Sequence, residues 1–206
     1  MQPFDPHTAL IVVDIQNDFA DPAGSLSVAG GEAVIPVINR AAWAAIRAGS
    51  FVAYTQDWHP AHTPHFAQDG GIWPVHCVGD TWGATFHPAL EVVGPSVHKG
   101  ANGEDGYSGF TMRDPVAGTE IPTELEALLR VRRIERVVVC GLATDYCVKS
   151  TALDAARLGF ATTVLVDCIA AVNLAPGDGD AAIAEMRAAG IEIVEIVQIV
   201  QSEGPG

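Results

Sequence analysis

The chain has 206 residues, of which 49% are hydrophobic and 17% charged, a composition typical of a folded domain with a sizeable core. Its formal net charge of -14 at pH 7 disfavours nucleic acids and anionic membrane surfaces as partners, because both carry phosphate. Every apolar run is shorter than the about eighteen residues needed to span a bilayer, so we expect no membrane helix.

The first half of the chain predicts an alternation of strands and a helix. An apolar run at 9–14 is typical of a strand that is buried on both faces. A glycine-rich polar loop follows at 17–31, and then a predicted helix at 34–48 that ends at Gly49. A second strand is predicted at 51–56.

The middle of the chain predicts a long loop at 57–94, rich in Gly, Pro, His and Trp, and then a short strand at 96–99. Loops of this length are uncommon in compact domains and are usually functional. The second half resumes the alternation. Its predicted helices are 122–133, 147–158 and 176–189, and its predicted strands are 135–140, 162–166 and 191–197.

This alternation predicts an α/β fold: an open, doubly wound, mostly parallel sheet with helices on both faces, in a Rossmann-like three-layer arrangement. We expect one domain over residues 1–206, with a frayed tail at 201–206. The four cysteines form no CxxC pair, and Asp5 and His7 stand where a secretory leader would have basic residues. We therefore expect free thiols and a cytoplasmic protein.

Chemically reactive side chains follow the predicted strands. Asp14, Asp57, Lys99 and the turn 141–147 all lie just past strand ends. Ligand sites of open α/β sheets form where the carboxyl ends of the strands meet the loops. The sequence therefore predicts a functional site at this edge.

Cys147 is the candidate nucleophile of this site. It follows a strand and a turn and opens a predicted helix, whose backbone N–H groups favour a thiolate. A thiol of ordinary pKa, about 8.5, needs activation. Asp14 can take its proton, and Lys99 can supply positive charge. Taken singly, the three residues also fit a buried thiol, a capping carboxylate and a surface lysine.

A group of histidines near Asp57 predicts a metal site. Asp57 and His59 are two residues apart, so in an extended segment they point to the same side. Imidazole and carboxylate ligands suit zinc, iron or manganese. His76 lies further along, and spacing alone leaves both His62 and His65 open as a ligand. Nearby, Phe19 and Trp73 can line an apolar pocket for a flat ring or simply pack in the core.

Taken together, these motifs resemble the nicotinamidase/pyrazinamidase family of the isochorismatase-like cysteine hydrolases. They occur in family order over roughly residues 8 to 170. The matching segments are Val13–Phe19, Asp57–His59, His65–Phe66, Trp73–Cys77, His98–Gly100, Tyr107–Phe110 and Gly141–Cys147. Several separate motifs in register are more specific than any one of them.

The resemblance implies an enzyme that hydrolyses nicotinamide to nicotinate and ammonia through a thioester, and that also acts on pyrazinamide. It implies Cys147 as the nucleophile, Asp14 as the base and Lys99 as the third catalytic residue. The backbone N–H groups of Ala143 and Cys147 correspond to the oxyanion donors of the family, with a cis peptide bond before Ala143.

The resemblance also implies one divalent metal ion that orients the substrate ring, zinc first, with iron or manganese as alternatives. Its ligands correspond to Asp57, His59 and His76, while His65 matches a ligand found in only part of the family. The substrate-binding residues correspond to Phe19, Trp73 and Tyr107.

Four points stay open at this stage. One competing function is an amidohydrolase of the same superfamily that acts on a carbamoyl or ureido compound, although such relatives generally lack the histidine-rich metal cluster. Another is a non-catalytic metal-binding scaffold. Assembly into a homo-oligomer is compatible with the sequence, and the glycine-rich acidic loop 100–106 has no assigned role.

Overall fold

A computed structural model describes residues 4–196 of the chain. The strands are β1 (Thr8–Val13), β2 (Phe51–Asp57), β3 (Ser96–Lys99), β4 (Thr111–Arg113), β5 (Glu120–Pro122), β6 (Arg136–Leu142), β7 (Ala161–Ala170) and β8 (Glu192–Val194). Six of them form a central parallel sheet in the order β3-β2-β1-β6-β7-β8, and β4 and β5 form a separate antiparallel pair. The helices are α1 (Asn17–Ala20), α2 (Ile35–Arg47), α3 (Leu125–Val131), α4 (Lys149–Arg157) and α5 (Asp178–Ala188).

The central strands are apolar on both faces because helices cover both faces. Along β1, Leu10 and Val12 pack in one core with the buried side of α2. Ile11 and Val13 pack in the other core, which includes residues of α3, α4 and α5. Successive side chains of a strand point to opposite faces, so a strand between two helix layers has no polar face. The predicted three-layer, doubly wound fold is confirmed.

The sheet order places a crevice at the predicted edge. β1 pairs with β2 on one side and with β6 on the other, so the strand order reverses at β1. The carboxyl ends of the strands beside such a switch point form the ligand-binding crevice of doubly wound folds. Among residues 4–196, no helix is both long and apolar enough to cross a membrane.

The structure differs from the prediction in detail. The predicted loop at 17–31 contains the short helix α1, and β4 lies in a segment for which no structure was predicted. β5 includes Pro122, where a helix was predicted to begin, and α3 starts only at Leu125. The helix predicted from Cys147 begins instead with a π-helical turn over Thr144–Val148, and α4 starts at Lys149. The last strand is shorter than predicted, and its end at Val197 and the tail 201–206 lie outside the described residues.

Candidate active site and metal centre

A buried lysine lies at the centre of the crevice. Lys99 Nζ donates to Asp14 Oδ2 at 2.7 Å, to Asp57 Oδ1 in a very short contact, and to the Gly106 carbonyl at 2.7 Å. Cys147 Sγ lies 3.9 Å from the same nitrogen. The side chain of Lys99 is fully buried. We call Asp14, Asp57, Lys99 and Cys147 the strand-end cluster, because each lies at or just beyond the carboxyl end of β1, β2, β3 or β6.

Asp14 and Asp57 are held by the neighbouring strands. Asp14 directly follows β1 with a positive φ of 49°, and its Oδ1 accepts a hydrogen bond from Thr55 Oγ1 at 2.6 Å. Gln16 is buried and brackets the backbone of Asp57: its Nε2 donates to the Asp57 carbonyl at 2.7 Å, and its Oε1 accepts the Asp57 N–H at 2.8 Å. Both carboxylates are therefore fixed before any ligand binds.

The charges of this cluster are set by burial and by mutual attraction. Burial by itself lowers the pKa of Lys99, but Asp14 and Asp57 outweigh it and raise that pKa well above its usual range. Burial by itself raises the pKa of Asp57, but Lys99 and the nearby His59 outweigh it and lower that pKa. For Asp14, burial prevails over Lys99 and raises the pKa to about 6. The lysine stays cationic, and Asp14 can gain or lose a proton near neutral pH.

Cys147 is more buried than its expected place at a helix start suggested. Its side chain is buried within the π-helical turn, and α4 begins only two residues later. Burial raises the pKa of Cys147 well above its usual range, Lys99 opposes this, and the nearby Asp14 and Asp57 carboxylates reinforce it. The resting group is therefore a thiol. Its Sγ and one oxygen each of Asp14 and Asp57 lie within 4.8 Å of one another, which brings a proton acceptor close.

The turn that presents Cys147 depends on a close approach of β6 to β1. Gly141 has a positive φ of 116°, and a Cβ at this position would overlap the backbone of Val13. The Leu142–Ala143 peptide bond is cis, as the family resemblance implied. The carbonyl of Ala143 accepts N–H groups from Tyr146 and Val148, at 3.1 and 3.0 Å, and so closes the turn.

Three buried histidines form a second group beside the strand-end cluster. His59, His65 and His76 each offer a ring nitrogen, and these nitrogens lie within 4.8 Å of one another. We call them the histidine cluster. Asp57 joins the two groups: Oδ1 contacts Lys99, and Oδ2 lies 3.9 Å from Nε2 of both His59 and His76.

The chemistry of these donors fits a divalent metal ion. Both ring nitrogens of His59 are buried and have no hydrogen-bond partner among the described residues. Such unpaired buried nitrogens cost free energy unless a ligand satisfies them. Burial lowers the pKa of His59 to about 4, so its imidazole is neutral at pH 7 and keeps a lone pair for a metal. Three imidazoles and a carboxylate oxygen are a donor set suited to zinc and other divalent transition metals.

The structure separates the two histidines that spacing left open. His65 is buried and belongs to the histidine cluster. The side chain of His62 is 80% exposed and lies 3.2 Å from Asp69. His98 stacks on Trp58 with ring centroids 4.3 Å apart.

A pocket of about 450 Å³, part of it open to solvent, connects the two clusters. The predicted ring-binding residues Phe19, Trp73 and Tyr107 all line it, together with Cys147. Trp73 Nε1 donates to the Tyr107 hydroxyl at 2.8 Å, and this bond fixes one wall. The pocket is therefore aromatic at its sides, with the thiol and the histidines exposed to the same cavity.

Sequence reasoning missed part of this wall. Tyr146 packs edge-on against Trp73 with ring centroids 4.9 Å apart, and its position next to Cys147 was the one available signal. Three apolar residues from two other loops also line the pocket: Leu26, Val28 and Val172. No motif or spacing in the sequence marked these three residues.

Comparison with known proteins agrees with this geometry. The isochorismatase domain family matches residues 8–198. A nicotinamidase/pyrazinamidase of Mycobacterium tuberculosis is 42% identical over 191 residues, covering 90% of this chain and 97% of that protein. A Pyrococcus horikoshii pyrazinamidase solved in complex with zinc has a TM-score of 0.82 at 38% identity, covering 92% of this chain and 99% of that one. PnC1 from L. infantum, solved in complex with nicotinate, has a TM-score of 0.84 at 36% identity, covering 94% and 96%.

Proposed function

The chain belongs to the isochorismatase family, and we propose that it is a metal-dependent cysteine amidohydrolase that converts nicotinamide to nicotinate and ammonia. One observation carries the proposal: a thiol lies 3.9 Å from a buried lysine that bridges two carboxylates, and it shares a pocket with a histidine cluster. The nicotinate complex of the L. infantum relative supports the choice of ring. The pyrazinamidase relatives make pyrazinamide a second proposed substrate.

In the proposed first half-reaction, Asp14 takes the thiol proton of Cys147 as the sulfur attacks the amide carbon. Because the thiol has a raised pKa, a free thiolate does not accumulate, and proton transfer accompanies attack. Lys99 stays cationic and stabilises the negative charge that moves between Asp14 and the sulfur. We assign the oxyanion of the tetrahedral intermediate to the backbone N–H groups of Ala143 and Cys147.

Collapse of that intermediate breaks the C–N bond, and Asp14 returns its proton to the departing ammonia. The acyl group is then held as a thioester on Cys147. In the second half-reaction Asp14 takes a proton from water, whose oxygen attacks the thioester carbon. The sulfur leaves with that proton, and nicotinic acid is released and ionises to nicotinate in water. A carboxyl group whose pKa is about 6 suits both the acid and the base step near neutral pH.

We propose that Asp57, His59, His65 and His76 hold the metal ion, and that zinc is its identity, by analogy with the zinc complex of the P. horikoshii pyrazinamidase. When bound, the ion would supply a Lewis acid that can bind the ring nitrogen of the substrate and orient the ring. Phe19, Trp73 and Tyr107, which line the same pocket, enclose the ring and exclude water from the thiol.

The test is ammonia release from nicotinamide by the zinc-loaded protein, compared with chelator-treated and zinc-restored samples. We expect Cys147→Ala to lose about 10⁴-fold or more of the activity, as removal of a nucleophile does elsewhere. Cys140→Ala is the matched control, since this buried thiol lies within β6 and outside the pocket. Chelation is expected to raise KM, and added zinc to restore it.

Each competing function predicts a different result in these assays. Release of both ammonia and carbon dioxide from an N-carbamoyl compound, with no turnover of nicotinamide, would favour the carbamoyl or ureido hydrolase instead. Metal binding without turnover of either amide would favour the scaffold. Formation of a homo-oligomer stays a prediction, and light scattering coupled to gel filtration measures it.

A further inference from the structure

The loop 100–106, to which the sequence assigned no role, contacts both clusters. Gly100 has a positive φ of 77°, and a Cβ there would lie 2.6 Å from Cε1 and Nδ1 of His59, so the loop packs directly on that ring. At its other end, the Gly106 carbonyl accepts the hydrogen bond from Lys99. Between them, Asp105 Oδ1 lies 2.8 Å from Nδ1 of His65.

The contact between Asp105 and His65 determines which nitrogen of the ring is free. A carboxylate only accepts, so His65 donates its Nδ1 proton to Asp105. In the neutral imidazole, Nε2 then carries the lone pair, which is the arrangement that carboxylate partners give to metal-binding histidines. The His65 side chain is 6% exposed, so its orientation depends on its protein neighbours.

The three histidines are oriented in different ways. His76 donates from Nδ1 to the Pro74 carbonyl at 2.7 Å, a backbone partner that no substitution of a side chain removes. The ring of His59 has no hydrogen-bond partner among the described residues and is fixed by packing, while its backbone pairs with Cys77 and Gly79. His65 is the one that depends on a side chain for its orientation. Its place in the cluster can therefore be changed by altering one carboxylate.

The backbone of Asp105 is held independently of its carboxylate. Its N–H donates to the Arg113 carbonyl at 2.9 Å, and its carbonyl accepts the Arg113 N–H at 2.8 Å, so the loop is pinned to β4. Thr63 Oγ1 donates to the Gly103 carbonyl at 2.9 Å and adds a second anchor. Removing the carboxylate should therefore leave the loop in place.

We propose that Asp105 is a positioning residue that orients His65 as a ligand of the divalent metal ion. The loop 100–106 thus acts as an outer support of the metal centre, and the inference rests on the metal site of the proposed function. Partners of this kind typically change metal affinity by about 10- to 100-fold when they are removed.

The test measures metal binding directly, without substrate. Zn²⁺ affinity is obtained by competition with a chromogenic chelator, and the visible absorption spectrum is recorded on the Co²⁺-loaded protein. We expect Asp105→Ala to weaken Zn²⁺ binding by about 10- to 100-fold and to shift the Co²⁺ spectrum towards that of His65→Ala. Asp105→Asn keeps an oxygen acceptor and should have a smaller effect.

Glu104→Gln is the matched control, because Glu104 is a carboxylate of the same loop that accepts hydrogen bonds from Asn102 rather than from a histidine. It should leave the Co²⁺ spectrum unchanged. In a His65→Ala background, Asp105→Ala should cause no further loss of affinity, since its effect passes through His65.

Wild-type affinity and spectrum in both Asp105 variants would overturn the proposal, as would additive losses in the double variant. Nicotinamide turnover is assayed separately on the same preparations. A protein that binds metal through His65 but does not release ammonia would refute the proposed function while leaving the role of Asp105 intact.

Discussion

The strand-end cluster and the histidine cluster lie side by side but are built differently. Asp14, Lys99 and Cys147 follow parallel strands, so the order of the sheet brings them together. His59, His65 and His76 lie on the long connection between β2 and β3, outside the six-stranded sheet, where the backbone of His59 forms an isolated bridge with Val78. Two of the rings are oriented by hydrogen bonds, His76 by the Pro74 carbonyl of the same connection and His65 by Asp105 of the loop 100–106. The first cluster is therefore positioned by the sheet, and the second by contacts within and between loops.

The largest effect expected from this difference is that of Lys99→Met, which tests whether the strand-end cluster is structural as well as catalytic. The substitution leaves Asp14 and Asp57 buried without their cation. Breaking a buried ion pair in this way costs about 3–5 kcal/mol, which corresponds to a fall in Tm of roughly 6–20 °C for a chain of this size. Thermal unfolding followed by circular dichroism measures it, and ammonia release should fall to background.

Lys149→Met is the control, since Lys149 is the other lysine of the chain and pairs with the exposed Glu185 at 3.0 Å. A surface pair of this kind contributes about 0–1 kcal/mol, so Tm should change little. Equal shifts in Tm for the two variants would mean that the strand-end cluster adds nothing particular to stability.

A smaller effect is expected from a change of pH. The group expected to titrate, Asp14, belongs to the strand-end cluster, so the pH profile of activity tests that cluster rather than the histidine cluster. Asp14 must be ionised to take the thiol proton, and its pKa is raised to about 6. In zinc-saturated protein, kcat/KM should therefore fall about tenfold per pH unit below about 6 and level off above it. Zinc content is measured at each pH, so that loss of the metal is not mistaken for protonation of Asp14.

The same pKa shift has an opposite consequence for stability. The folded-state pKa of Asp14 lies above the ordinary value of 3.8, so the folded state binds this proton more tightly than the unfolded state. The contribution of Asp14 to stability is thus fully present below about pH 3.8 and is lost as the pH rises through about 6. In urea titrations, Asp14→Asn should lack this decline. An unchanged pH dependence in that variant would argue that another group titrates.

The sequence was sufficient for the strand-end cluster because β-branched runs identify buried parallel strands, and such strands align their ends. Asp14 and Lys99 were predictable on this ground. The histidine cluster was less so: spacing left His62 and His65 equivalent, and only the resemblance favoured His65. The structure separates them because His65 is buried among the other histidines while His62 is exposed, and His65 is held by Asp105, 40 residues away in the chain. A loop contact of that range leaves no local pattern.

The missed elements have a related cause. β4 and β5 are three residues each, too short to show the alternation that marks a strand. The strength of the activation that Cys147 needs was not predictable, because a helix start says nothing about burial, and burial dominates the pKa of this thiol. Neither feature is encoded in a stretch of sequence long enough to recognise.

The smallest expected effect concerns the hydrogen-bonded pair Trp73 and Tyr107, which forms the aromatic wall of the pocket between the two clusters. Tyr107→Phe removes the acceptor of the Trp73 indole N–H and leaves that donor unpaired in a mostly buried site. The loss of a neutral hydrogen bond is worth about 0.5–1.5 kcal/mol. We expect KM for nicotinamide to rise about two- to tenfold with little change in kcat, because the wall binds the ring in ground and transition states alike.

Trp73→Phe removes the donor instead, and the double variant removes both partners of the same bond. If the hydrogen bond is what matters, KM of the double variant should be close to that of the worse single variant rather than to the product of the two effects. A multiplicative increase would show that each ring contacts the substrate independently. In that case Trp73 and Tyr107 would bind the substrate as two separate residues rather than as one hydrogen-bonded wall. A fall in kcat in either variant would instead mean that Trp73 and Tyr107 affect the chemical step at the thiol. The two clusters would then be coupled through the pocket as well as through Asp57.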